Sequence, residues 1–366
     1  MSDQGEVVVD HQALRAFITE VFEHAGCSPG EAGRIADNLV DANLTGHDSH
    51  GVIRVRRYVD WLIHGVQYAD QELSTLIDEG PLVLVDGQYG MGQTVGPLAV
   101  DLGIERCREH GLAIVALRRA GHLGRIGEYA ETAAAAGLVS IHIVNVAASR
   151  LVAPFGSRSR RMGTNPMAFG VPRTDGPPVI HDFATSVVAE GKAMVALHGG
   201  PAVPDDALVG EDGRVTGDPS VLYEIVPGKT PNTAGGTGAL RAMGEHKGSG
   251  LSVMCELLAG ALTGGGTASP TTERFSNGML SVYVDPGRID PDDGFTASVT
   301  DYIDWFLDAD TTADNDRVRL PGDKERERRA DREANGLTIP ADAWASIVGG
   351  AERAGMTPEQ IAAHTS

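Results

Sequence analysis

The chain holds 366 residues, 42% hydrophobic and 22% charged, enough for about two domains. Thirty basic against fifty acidic residues leave a formal net charge of −20. That balance excludes the basic patches that nucleic acid or an anionic membrane requires, and it fits either a very soluble surface or adaptation to high salt.

No run of about 18 uncharged apolar residues occurs, and Met1 to His11 lacks the basic and apolar regions of a secretory leader. Cys27, Cys107 and Cys255 are odd in number and unpaired in spacing, and no H-E-x-x-H is present. The expectation is a reduced, cytoplasmic protein with no metal site.

Asp10 predicts a helix cap, followed by a helix through Leu14, Phe17, Val21 and Phe22 that ends at Ala25-Gly26. Ser28-Pro29-Gly30-Glu31 reads as a capping box for a second helix to Leu44, and a third is expected from His50 to Ile63. After Pro81, strands at Leu82–Val85, Leu112–Leu117 and Leu138–Val144 alternate with helices at Gly96–His110 and Ile126–Ala136, the pattern of a layered α/β sheet. Further strands are expected near Met167–Val171, Val179–Asp182 and Met279–Val284, with a helix from Gly248 to Leu262 stopped by Gly264-Gly265-Gly266. Residues 199–243 read as long surface loops, with Thr230 to Gly238 the most mobile. Helices at Thr296–Leu307, Lys324–Ala334 and Ala341–Ala354 close the chain, with a last turn capped by Thr357-Pro358-Glu359-Gln360.

Gly90-Met91-Gly92-Gln93-Thr94-Val95-Gly96 lies between a strand and a helix, where a dinucleotide fingerprint would lie. Its spacing is G-x-G-x-x-x-G, and the next strand ends in Arg118-Arg119 with no acidic residue for a ribose. Turn chemistry is the better reading.

The segment from Thr45 to Tyr58 is the most informative. On a helix, His50, Arg54 and Tyr58 share one stripe at i, i+4, i+8, while Val52, Val55, Val59 and Leu62 face the core. An imidazole, a guanidinium and a phenol together suit a carboxylate substrate that gains or loses a proton. A solvated polar face is the plain alternative. Gly121-His122-Leu123-Gly124 follows a strand's C-terminal end, where α/β folds place their chemistry. Asp182 ends an apolar strand and could take ribose hydroxyls or cap a helix; Lys247 sits at a helix start, where free amides suit a phosphate.

In order, D-S-H-G-x-x-R (Asp48–Arg54), H-x-G (His122–Gly124), G-T-N-P (Gly163–Pro166), D-x-A-T-S (Asp182–Ser186), K-G-x-G-L (Lys247–Leu251) and L-P-G-D (Leu320–Asp323) resemble the non-classical malate/L-lactate dehydrogenase family, which includes ureidoglycolate, sulfolactate and 2,3-diketogulonate oxidoreductases and cyclic imino-acid reductases. The resemblance implies an α/β, L-sulfolactate dehydrogenase-like fold, not Rossmann: a mixed sheet with helical N- and C-terminal regions and an inserted cofactor domain. The expected division is residues 1–118 with 275–366 as the dimerisation and substrate domain, and 119–274 as the insert.

By the same resemblance the protein is a homodimer using NAD or NADP on a small carboxylate substrate, a 2-hydroxy or 2-oxo acid. His122 and His50 are the implied proton-transfer groups, and Ser49, Arg54, Tyr58, Thr164 and Asn165 the substrate contacts. Val146, Asp182, Phe183, Ala184, His246, Lys247, Pro321, Gly322 and Asp323 are the implied cofactor contacts. Ala147 stands where family members place a polar contact, with Arg150 as a possible substitute cation. Cyclic imino-acid reduction and a non-catalytic nucleotide-binding protein are the alternatives.

Overall fold

The computed structural model describes residues 5–197, 201–226, 232–290, 292 and 294–365. Residues 230 and 231 of the loop expected to be mobile lie outside these; within it, Thr233–Gly235 forms a 3-10 turn.

Strand β1 (Glu6–Val9) leads into α1 (His11–His24), whose first amides, Gln12 and Ala13, are taken by Asp10 at 2.9 Å. Helix α2 (Pro29–Leu44) is capped by Ser28, which accepts the Glu31 amide at 3.3 Å. The expected box closes differently. Glu31 takes the Asp70 amide at 2.6 Å and the Thr94 hydroxyl at 2.7 Å, and the Ser28 amide goes to Asp70.

A single helix from His50 to Ile63 is not what forms. Asp48–His50 and Val52–Arg54 are short 3-10 turns, and the α-helix α3 covers Val55–Ile63. Between the turns Gly51 is extended (φ −88°, ψ −151°). A Cβ there would lie 2.0 Å from Asn43 Oδ1, which accepts the Val52 amide at 2.7 Å, so the close approach of α2 breaks the helix.

Next come β2 (Ser74–Glu79), β3 (Leu82–Asp86), α4 (Gly92–His110), β4 (Leu112–Ala120), α5 (Gly127–Ala135), β5 (Val139–Ala147), β6 (Val152–Ala153), β7 (Pro166–Val171), β8 (Val179–Ala184) and α6 (Glu190–Leu197). They are followed by β9 (Leu208–Val209), β10 (Val215–Thr216), β11 (Ala239–Arg241), α7 (His246–Cys255), which runs on through a π-helical turn to Ala261, and β12 (Ser276–Val284). The chain closes with α8 (Pro286–Ile289), α9 (Phe295–Leu307), α10 (Asp323–Asn335), β13 (Leu337–Pro340), α11 (Ala341–Ala354) and α12 (Pro358–Thr365).

Seven strands form one mixed sheet in the order β2-β3-β4-β12-β5-β7-β8. The β3–β4 pair, joined through α4, is parallel, and the other neighbours are antiparallel. The boundary expected after residue 118 falls within this sheet, because β12 carries β4 on one side and β5 on the other.

Three larger apolar clusters hold the chain. One joins α1, α2 and α3 to β13 and the C-terminal helices through Leu14, Phe17, Ile35, Val55, Ile347 and Met356. The second packs α4 and α5 on the large sheet. The third, around Met162, Leu208, Leu222 and Leu240, underlies a four-stranded sheet ordered β10-β9-β11-β6. Residues 199–243 therefore include short strands over a core of their own, where loops were expected. Strands of two or three residues are too short to show a period. No helix of the described residues is long and apolar enough to cross a membrane.

Candidate active site

His122 sits in the turn after β4, and three strands fix that turn. The Leu123 amide donates to Asn277 Oδ1 at 2.9 Å, and Asn277 Nδ2 donates to the Asn145 carbonyl at 3.0 Å, linking β4, β12 and β5. From below, Gly121 donates its amide to the Gly90 carbonyl at 2.7 Å. A Cβ at Gly92 would lie 2.1 Å from the His122 carbonyl oxygen, and one at Gly96 2.3 Å from the Tyr129 hydroxyl. The glycines of this segment thus serve close packing beneath His122 as well as a turn.

The three side chains expected on one stripe do converge, by a different route. Arg54 and Tyr58 are one helical turn apart, while His50 arrives from the 3-10 turn beyond Gly51. The His50 and His122 rings stack with centroids 5.5 Å apart and planes 17° apart. The Tyr58 hydroxyl lies 2.6 Å from His122 Nδ1. Ser49 Oγ is 3.0 Å from His50 Nδ1, and the Ser49 carbonyl accepts Arg54 Nε at 2.6 Å, which aims the rest of the guanidinium fork. Phe275 also stacks on His122, at 6.5 Å, and meets Trp61 at 4.8 Å.

Arg54 brings positive charge to this pocket, with Glu190 acting on it from α6. Burial, then the charge of Arg54, pushes His50 down to about 3 and holds His122 well below the usual imidazole range, so both rings are neutral at pH 7. Burial and Arg57 lower Arg54, and burial raises Tyr58 to about 12. A guanidinium facing two neutral rings is a site that a carboxylate completes.

The remaining expected residues fall into two groups. Beside β5, the Thr164 carbonyl accepts both the amide and the hydroxyl of Thr185 at 3.0 Å. Asn165 is fully buried with φ +40°; its Nδ2 donates to Ser252 Oγ at 3.0 Å and Glu256 at 2.9 Å, and its Oδ1 accepts the Val146 amide at 3.2 Å. Asn165 thus spends its amide on the protein. Ala147 is buried and Arg150 exposed.

On β8, Asp182 accepts the Gly127 amide at 2.8 Å at the start of α5, and burial raises its carboxyl pKa. Phe183 stacks on Phe169, and Ala184 pairs with Pro166. The Pro321 carbonyl accepts the Ile180 amide at 3.3 Å, Gly322 has φ +94°, and Asp323 pairs with Arg326 at 2.6 Å, so this loop lies against β8. His246 and Lys247 are exposed at the start of α7, where His246 meets Phe155 edge-on. The Met243 amide reaches the Thr185 carbonyl at 2.9 Å, which brings this helix start toward the end of β8.

The donor set suits a dinucleotide: an exposed ammonium at a helix start for phosphate, a carboxylate strand and loop for a ribose, and the exposed loop after β5. Among the described residues no group of three His, Cys, Asp or Glu could hold a metal ion.

Sequence reasoning missed Gln93, Asn277, Asn145 and Glu256. Gln93 is buried under the site, donating to the His122 carbonyl at 3.1 Å and to the Tyr58 oxygen at 3.3 Å. Its one signal was the Gly-rich segment in which it sits. Glu256, within the π-helical turn, accepts from Asn165, from Asn145 at 3.3 Å and from the amides of Gly163 and Ala268. Nothing local in the sequence marks it.

Residues 9–348 match the family model described as malate/L-lactate dehydrogenase. The hydroxycarboxylate dehydrogenase B of Escherichia coli strain K12 is 38% identical over 359 residues, covering 97% of this chain and 96% of that one. A solved Escherichia coli structure of the malate/lactate dehydrogenase kind superposes with a TM-score of 0.90 at 36% identity, covering 98% of both chains. The sulfolactate dehydrogenase from Methanocaldococcus jannaschii superposes at 0.82 with 27% identity, covering 96% of this chain and 99% of that one.

Proposed function

The chain belongs to the malate/L-lactate dehydrogenase family, and from that premise we propose that it moves a hydride between NAD or NADP and C2 of a small 2-hydroxy or 2-oxo acid. The observation that supports this most is the meeting of His50 and His122, 72 positions apart in the chain, as stacked neutral rings beside Arg54.

Arg54 holds the carboxylate through the part of its fork not engaged by Ser49. His50, Ser49, Phe275 and Trp61 bound the pocket. His122 handles the proton of the C2 oxygen at Nε2, since its Nδ1 is engaged by the Tyr58 hydroxyl. General acid–base help of this kind contributes roughly 10²–10⁴ in rate. When bound, the nicotinamide supplies or takes the hydride at C2. Lys247, His246, Val146, the Asp182–Ala184 strand and the Pro321–Asp323 loop are the residues assigned to hold it. Thr164 acts by holding Thr185 through its carbonyl, and Asn165 by positioning Val146. A homodimer in the cytoplasm is part of the same proposal.

A panel of 2-hydroxy and 2-oxo acids, assayed with each cofactor at low and high salt, tests it. Turnover of at least one acid is the expected result. Dinucleotide binding without turnover of any acid would instead favour a nucleotide-binding protein that performs no chemistry.

A further inference from the structure

The hydrogen-bond chain beneath the site fixes which nitrogen of His122 carries the proton. Gln93 is about 1% exposed, and its amide orientation follows from its neighbours. The His122 carbonyl can only accept, so the atom 3.1 Å from it is Nε2. Asn38 Oδ1 also faces Nε2, at 3.4 Å, with the Asn38 amide nitrogen on Glu128. Turning Gln93 over would set its oxygen against the His122 carbonyl. The structure instead leaves Oε1 without a partner among the described residues.

Nε2 cannot accept from the Tyr58 hydroxyl 3.3 Å away, so the phenolic proton is left one acceptor, His122 Nδ1 at 2.6 Å. With Nδ1 accepting, neutral His122 must carry its proton on Nε2, the nitrogen that Tyr58 does not engage.

We propose that Gln93 and Tyr58 hold neutral His122 as the Nε2–H tautomer, and that Tyr58 is the proton source for keto-acid reduction, acting through the imidazole. This deepens the dehydrogenase reading and rests on it. As hydride reaches C2, the Nε2–H bond breaks and its proton joins the C2 oxygen. In the same event the Tyr58 O–H bond breaks and its proton joins Nδ1. The imidazole stays neutral throughout, and the negative charge passes from the substrate oxygen to Tyr58. Gln93 donates to that phenolate, and Arg54 faces it. After the product leaves, a proton from water enters at Nε2, and the Nδ1 proton returns to Tyr58.

Burial supports this order. Forming imidazolium beside Arg54 is disfavoured, whereas a phenol of pKa about 12 is still a stronger acid than an aliphatic alcohol. The titratable groups that face the pair are His50 from the preceding turn, Arg54 and Arg57 around the start of α3, and Tyr129 from α5.

The two routes differ in pH dependence. With imidazolium as donor, reduction falls tenfold per pH unit above the imidazole pKa and oxidation is flat. With Tyr58 as source, reduction is flat from pH 6 to 9 and oxidation rises tenfold per unit.

Both directions are to be measured on wild type and Tyr58→Phe, with the tautomer of His122 read by ¹⁵N NMR on the protein without cofactor. The expected results are flat wild-type reduction, an Nε2–H tautomer, and for Tyr58→Phe a kcat for reduction lowered about 100-fold with KM little changed and a new tenfold-per-unit fall across pH 6 to 9. Gln93→Leu should shift the NMR signals toward a tautomer mixture. An Nδ1–H tautomer in wild type, wild-type reduction falling tenfold per unit, or Tyr58→Phe changing KM alone would overturn the proposal. If no acid is turned over, the dehydrogenase reading fails and the NMR result still decides the tautomer.

Discussion

Replacing Gly92 by alanine puts one methyl group against the floor of the site. Gly92 opens α4, and its added Cβ would lie 2.1 Å from the His122 carbonyl oxygen, 2.5 Å from its carbon and 2.9 Å from Leu123 Cα. All three are backbone atoms. Ordinary contact begins near 3.4 Å, so the turn must retreat by more than an ångström. It has little freedom to do so: the Leu123 amide is held by Asn277, the Leu123 carbonyl by the Tyr129 hydroxyl at 2.7 Å, and Gly121 by the Gly90 carbonyl. Overpacking of this kind costs about 1–3 kcal/mol. Displacing a proton-transfer group by ~1 Å lowers kcat by roughly 10². Because Arg54 lies on another element, KM for the acid should change less. Urea midpoints and steady-state kinetics on Gly92→Ala measure both. The control is Gly33→Ala inside α2, where nothing lies within 4 Å of the added Cβ and a gain of about 0.5–1 kcal/mol is expected. A Gly92→Ala protein with wild-type kcat and midpoint would refute the packing argument.

Arg54→Ala should raise KM for the acid roughly 10–100-fold, the value of about 1.5–3 kcal/mol for hydrogen bonds to a charged group, with a smaller effect on kcat; a loss confined to kcat would remove Arg54 from carboxylate binding. Glu256→Ala takes one of two acceptors from Asn165 Nδ2 and leaves the Gly163 and Ala268 amides without theirs, and should lower the unfolding free energy by about 3 kcal/mol; a loss below about 1 kcal/mol would show that the network re-forms. His142 is fully buried, and burial lowers its pKa to about 3. Neither state binds its proton above about 6.5; as pH falls below that, the unfolded chain is protonated first. Stability should therefore drop by up to about 1.4 kcal/mol per pH unit toward pH 3, and His142→Gln should remove that share. Parallel wild-type and variant curves between pH 6.5 and 4 would contradict it.

The sequence was most legible where one element carried its own signal. Asp10 and Ser28 mark their helices because a capping side chain acts on amides two or three residues away. The Thr357 box forms as read, with Gln360 Oε1 taking the Thr357 amide at 2.8 Å. Leu112–Ala120 and Val139–Ala147 are long enough for their apolar runs to show. What the sequence hid depends on distant contacts. Gly51 breaks a helix pattern only because Asn43 occupies the space of its Cβ. Strand β1 is visible only through its pairing with β13, some 330 residues later. The grouping of His50 with Arg54 was anticipated for the wrong geometric reason, since a helical stripe was expected and a turn supplies it. Gln93 escaped because a buried amide is defined by what surrounds it, here Tyr58, His122 and Asn38.

The most direct measurement is turnover of an accepted acid by His122→Ala, with cofactor binding followed separately by fluorescence of the reduced nicotinamide. The result expected is kcat lowered by about 10² or more with the dinucleotide still bound. Wild-type turnover in that variant would contradict the assignment of the proton to His122.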